Sequence, residues 1–181
     1  MRPLLITIGI LLSLGKVAFA QTSTWKVNDY TIRFEIDNAG VAVDGSLRGL
    51  KYQLDFAPEA LSSSSLFASV AVSTIDTGIG ARDRHLQSDT YFNSATWPLI
   101  SLQSTSLQQI HNTQFVGVFN CTIKDTTQQV SIPFSFETSN KEAVMEGRFS
   151  LNRQDYGIGG NSLLMGDEIE VTIRMILEKN G

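Results

Sequence analysis

"VSIPFSFE", residues 130–137, is the stretch whose reading decides the fold class. Val130, Ile132, Phe134 and Phe136 fall on one side of an extended chain, and Ser131, Pro133, Ser135 and Glu137 on the other. Strict alternation is the period of a half-buried β-strand, because successive side chains of an extended chain point to opposite faces. Pro133 has no N–H to give a neighbouring strand, so its position is expected at a bulge or an unpaired site.

The same period runs outward in both directions. Upstream, residues 124–128 read as a hairpin turn. Before it Phe115, Gly117, Phe119 and Cys121 alternate behind the turn residues His111, Asn112 and Thr113, and Ile100 and Leu102 start an earlier strand. Downstream come Met145, Gly147, Phe149 and Leu151, then Ile169, Val171, Ile173, Met175 and Leu177. Nearer the N-terminus the runs are Ile32–Phe34–Ile36, Tyr52–Leu54–Phe56 and Leu66–Ala68–Val70–Val72, with Val41 and Val43 starting a short strand broken near Gly45. Eight or nine strands with short connections predict one all-β domain, an antiparallel barrel or sandwich. Two segments break the pattern. Residues 58–65 read as a single helical turn and a loop, and residues 81–88 as one short helix ahead of Trp97 and Pro98.

The first twenty residues have another grammar. Arg2, an apolar run over 4–15 and the small-x-small triplet Ala18-Phe19-Ala20 predict a signal peptide cleaved after Ala20, its apolar run too short to span a bilayer. The folded domain is then residues 21–181, exported, and periplasmic where the host has two membranes. Beyond Ala20, twelve basic residues stand against eighteen acidic ones, a net charge of −6. That balance and the lack of a basic stripe argue against a nucleic-acid partner. Cys121 is the single cysteine, so there is no intrachain disulfide. A buried, inert thiol is the first reading and a disulfide-linked homodimer the second.

"ARDRHLQSDTYF", residues 81–92, concentrates charge in a chain that otherwise avoids it. A nucleophilic triad would need more. Asp89 at i+4 could orient His85, whereas Asp83, two residues away on a helix, points elsewhere. No Gly-x-Ser-x-Gly elbow is present, and two distant histidines with one cysteine give no zinc-ligand spacing. "GIGG" at 157–160 lacks the lysine and following helix of a phosphate cradle. No catalytic residue, metal or cofactor is therefore assigned. Ten phenylalanines, nine of them after Ala20, leave two readings of the interior open. Either they fill a core, or the barrel encloses an apolar ligand.

Five segments in order, behind a signal peptide, resemble the YceI-like family across residues 24–178. They are "YTIRFEID" with "VDGSLRGLKYQLDF", "ASVAVSTIDTG", "RDRHLQSDTYFNSATWPLISLQS", "GVFNCTIKDTTQQVSIPFSF" and "GRFSLNRQDYGIGG". Ser46, Leu47, Tyr91 and the turn at 124–127 depart from the family's usual residues. The resemblance implies an extended antiparallel eight-stranded lipocalin-like β-barrel with one short helix. It further implies a non-enzymatic exported protein that binds a long-chain isoprenoid or related lipid: a polyprenyl phosphate, a quinone or a fatty amide. A membrane redox partner follows only by analogy with relatives. With strand parity, it places Phe34, Phe56, Val72, Phe92, Trp97, Phe119, Phe134, Phe149 and Ile173 along an apolar tunnel. Arg82, Asp83, His85, Arg153 and Asp155 are then a head-group rim, or a clamp in which Arg82 or Arg153 pairs with Asp155 or Asp83. The competing reading is a stress-related interaction protein with a filled barrel and no bound lipid.

Overall fold

The computed structural model describes residues 24–180. The expected leader and its cleavage after Ala20 lie outside the described residues. Alternation sets the strands. In Thr126–Ser139 the side chains of Ile132, Phe134 and Phe136 are buried while Ser131 and Pro133 are exposed. The elements in chain order are β1 (Trp25–Asn38), β2 (Val41–Leu47), β3 (Lys51–Asp55), β4 (Ser65–Ala71), helix α1 (Gly80–Leu86), β5 (Leu99–His111), β6 (Gln114–Ile123), β7 (Thr126–Ser139), β8 (Glu142–Asn152) and β9 (Met165–Lys179). Short 3-10 turns cover Pro58–Ser63, Val72–Thr74 and Arg153–Tyr156.

The nine strands form one antiparallel sheet in the order β2-β1-β9-β8-β7-β6-β5-β4-β3, one strand more than the eight expected. The extra strand arises where "VDGSLRGLKYQLDF" divides. Gly49, with φ of 72°, turns the chain through the left-handed region, so β2 and β3 end on opposite edges of the sheet. Gly45 does not break β2. It faces Phe34 in the β1–β2 register, and a Cβ there would lie 2.4 Å from Phe34 Cζ, so glycine is what lets the ring lie over the strand. Pro133 makes no bulge. It registers with Val116, and the β7–β8 ladder begins only at Phe134↔Gly147, leaving its missing N–H without a β8 partner to satisfy.

The sheet curls until its two edges meet, and the seam is not a ladder. Thr24 N donates to Leu54 O at 3.1 Å, Val27 N to Tyr52 Oη at 3.0 Å and Trp25 Nε1 to Phe56 O at 2.8 Å. Further along, Ser46 and Asp76 exchange both backbone bonds, at 2.8 and 3.0 Å. A register shift between Val27 and Asp29 moves the inward side of β1 from Trp25 and Val27 to Tyr30 and Ile32.

One end of the barrel is filled by aromatic rings. Phe56 stands edge-on to Phe115, Phe134 and Phe136 at centroid distances of 5.2, 5.7 and 4.8 Å, and Trp25 meets Phe136 at 5.2 Å. Edge-to-face pairs of this kind contribute about 0.5–1.5 kcal/mol each beyond their area. They also tie β1, β6 and β7 to the residue that follows β3.

Candidate functional site

Away from that plug the barrel is hollow. A cavity of about 410 Å³ lies between β1, β4, β5, β6, β8 and β9, with almost wholly apolar walls. Phe34, Val171 and Phe149 stand side by side across β1, β9 and β8, since Phe34↔Val171 and Phe149↔Val171 are register pairs. Leu102 and Cys121 make the same kind of pair on β5 and β6. Three segments frame the mouth: the end of β1 with the start of β2, the stretch from Thr77 through α1 to Phe92, and the β8–β9 connection.

Helix α1 is held by Thr77. Asp83 accepts from Thr77 N at 2.9 Å and from the Thr77 hydroxyl. Arg82 donates from Nε to Thr77 Oγ1 and from Nη2 to Thr77 O, both at 2.8 Å. The bond from the Thr77 hydroxyl is the main reason the Asp83 carboxyl titrates below its ordinary value; desolvation opposes it, and the Thr77 N–H, Arg82 and Arg84 add to it. The sign follows: with a depressed folded pKa, the anchor is complete above the unfolded value of about 3.9 and is lost as pH falls through the lower folded one. Thr77→Val is expected to raise the Asp83 pKa toward its unfolded value and bring the release of α1 to higher pH. Carboxyl chemical shifts followed from pH 6 to pH 2 would check it (roughly the range that brackets an aspartate), and an unmoved Asp83 titration would contradict this account.

Arg153 holds the β8–β9 connection. It is 1% exposed, with Nε donating to Gly166 O at 2.8 Å, Nη1 to Ile158 O at 2.8 Å and Gly160 O at 2.6 Å, and Nη2 to Met165 O at 3.2 Å. Nη2 also pairs with Asp167 Oδ1 at 2.7 Å. Every N–H of the guanidinium thus has an acceptor. The chain folds around it because Gly157, Gly159 and Gly160 take φ of 59°, 71° and 54°, which is the turn chemistry behind "GIGG". Gly159 N then donates to Thr90 O at 3.0 Å, joining this flap to the α1 segment.

Phe34, Phe92, Phe149 and Ile173 wall the cavity. Phe119 and Phe134, with Ile173 again, border a separate void of about 60 Å³ nearer the plug. Phe56 is part of the plug, Val72 is buried in a 3-10 turn, and Trp97 is 36% exposed outside the cavity. Arg82, His85 and Arg153 reach the cavity, whereas the Asp83 carboxylate is turned onto Thr77 and Asp155 is exposed. The expected clamp pairing is corrected: the carboxylate on Arg153 is Asp167, and Arg82 grips Thr77. No sequence signal marked Asp167, because it follows the loop that brings it back.

The groups a triad would need do not converge. Ser88 Oγ donates to the backbone carbonyl of His85 at 2.7 Å, and Asp89 Oδ1 accepts from Thr90 N at 2.8 Å. The His85 ring instead stands edge-on to Tyr91 at 4.8 Å. Cys121 is 1% exposed and walls the cavity, so its thiol cannot reach a second copy, and the disulfide-linked dimer is excluded. Burial pushes that thiol up and does the same to the neighbouring Tyr156 hydroxyl, keeping both neutral. Tyr156 Oη has no hydrogen-bond partner, so Cys121 is its neighbour and not its acceptor.

Comparison with known proteins agrees with this architecture. The YceI-like domain model matches residues 24–177. A UPF0312 protein of Azotobacter vinelandii is 22% identical over 149 residues, covering 78% of each chain. Among solved structures, BcnA of Burkholderia cenocepacia superposes with a TM-score of 0.78 at 15% identity, covering 81% of this chain and 95% of its own. A polyisoprenoid binding domain from Saccharophagus degradans does so with a TM-score of 0.71 at 10% identity, covering 88% and 100%. At such identities the likeness is one of fold.

Proposed function

We infer that this chain, which belongs to the YceI-like domain family, is a non-enzymatic binding protein that encloses the tail of a long-chain isoprenoid or related lipid. The observation that carries this reading is the apolar cavity with one filled end. Its volume of about 410 Å³ lies in the range of ligand pockets, roughly 300–1,000 Å³. Each methylene moved from water into such walls contributes about 0.8 kcal/mol. Ten of them give roughly 8 kcal/mol before ordering costs, with no catalytic group required. The likeness to a polyisoprenoid binding domain supports the same ligand class. Phe34, Phe92, Phe149 and Ile173 would hold the tail, and Arg82 and His85 would meet the head group of a polyprenyl phosphate, a quinone or a fatty amide at the mouth. The signal peptide expected over residues 1–20 would make it an exported, periplasmic carrier. Because the interior is hollow, the filled-barrel interaction protein is the weaker reading.

Native mass spectrometry after gentle purification, followed by lipid extraction, tests this. A stoichiometric long-chain lipid is expected. A protein that stays ligand-free after incubation with polyprenol, menaquinone and fatty-amide micelles would overturn the reading.

A further inference from the structure

Large apolar side chains left in water are not spread evenly over this molecule. Seven are exposed among the described residues: Val41, Ile79, Trp97, Leu99, Ile110, Leu163 and Leu164. Only Ile110 lies at the plugged end, where β5 turns into β6 beside Phe115. The other six lie at the cavity end. Leu164 itself walls the cavity, and its carbonyl accepts from Ala39 N at 2.6 Å, which sets it against the β1–β2 turn next to Val41. Ile79 caps α1, and Trp97 and Leu99 enter β5 at the end where Ile100 pairs with Ile123. Leu163, at 105% exposure, stands off the tip of the β8–β9 flap.

From this asymmetry we propose that the cavity end docks on a zwitterionic lipid bilayer of no net charge, with Leu163 and Leu164 entering the interface. Aliphatic side chains standing off loop tips suit a soft apolar layer, which can close around each one, better than a flat protein face. The charges decide the kind of bilayer. Around the mouth the exposed acids Asp37, Asp44, Asp89, Asp125 and Glu168 outnumber the exposed Arg84 and the half-buried Arg82 and Lys124, Asp167 being paired with Arg153, and beyond Ala20 the chain carries net −6, so an anionic surface repels it. The position matters because the patch is continuous with the cavity wall. A lipid tail can pass from the bilayer along Leu164 into the barrel without meeting water. The proposal deepens the carrier reading and rests on it for its purpose, but docking itself can be measured separately.

The test is co-flotation of the protein with phosphatidylcholine vesicles, alone and with phosphatidylglycerol added, beside uptake of the isoprenoid alcohol solanesol from vesicles and from detergent micelles. Wild-type protein is expected to float with phosphatidylcholine vesicles and less with those containing phosphatidylglycerol. Each leucine changed to aspartate, L163D or L164D, should lower the bound fraction about tenfold, the worth of one buried aliphatic side chain. Ile110→Asp, at the other end, should leave binding unchanged. Both leucines are exposed, and L163S/L164S serves as a milder pair if an aspartate variant misfolds. Failure of the wild type to float, equal loss with Ile110→Asp, or tighter binding to phosphatidylglycerol overturns the proposal. Solanesol uptake from micelles without flotation overturns docking while sparing the carrier. Flotation without uptake from either source supports docking and overturns the carrier.

Discussion

Arg153→Met is expected to lower the unfolding free energy by about 3–5 kcal/mol, the cost of leaving several backbone carbonyls without their donor. Methionine keeps much of the side-chain volume and none of the donors. Four carbonyls, those of Ile158, Gly160, Met165 and Gly166, lose their partner together. A buried acceptor left unpaired costs about 1–3 kcal/mol; water reaching the outer ones keeps the total below the sum. Arg153→Lys should recover only part, since one ammonium cannot reach acceptors spread around the edge of the planar guanidinium, on Nε, Nη1 and Nη2. Urea unfolding reads the stability, and amide exchange over residues 157–166 should quicken in the folded variant. A loss under about 1 kcal/mol would show that the flap holds itself and that the network is not what orders it.

Val171→Trp should separate binding from folding. Val171 lies between Phe34 and Phe149 in register and faces the void, so an indole there occupies empty space. Stability should stay within about 1.5 kcal/mol of wild type, as for other tolerated volume changes in cores. Affinity should fall roughly a hundredfold: four methylenes displaced at about 0.8 kcal/mol each remove about 3 kcal/mol. Thermal unfolding and a lipid-retention assay are the two readouts. A folded variant that keeps its lipid would remove the cavity from consideration as the binding site. Phe134 would be a poor choice for this test. It is buried against Phe56 and Phe115, and a charge there would attack the fold first.

Alternation made the all-β class and nearly every strand legible, because it is a local property and β6, β7, β8 and β9 obey it along most of their length. What alternation cannot report is depth along the barrel. Phe119, Phe134 and Phe149 share one inward parity, yet only Phe149 stands in the large cavity. Which end fills depends on rings from distant segments, Trp25, Phe56 and Phe115 among them, meeting in space. Trp97 had no parity to support it, and it lies in a turn outside the cavity. The runs at Val41–Val43 and Tyr52–Leu54–Phe56 were legible as strands, but not that they lie on opposite edges of the sheet. Gly49 acts through its backbone conformation, and a glycine read in sequence looks the same whether it carries the chain from one sheet edge to the other, as there, or makes room for a ring, as Gly45 does.

The ring cluster around Phe56 gives the barrel a floor. A tube open at both ends could take cargo from one side and pass it out at the other, with donor and acceptor bound at once. A vessel with a floor must turn round. Whatever enters through the mouth leaves by the same door, so a donor and an acceptor of its cargo would use the same face in alternation. On the carrier reading proposed above, transfer is expected to follow double-displacement kinetics, with parallel lines in a double-reciprocal plot, and an excess of empty acceptor to slow delivery by occupying the face that loading needs.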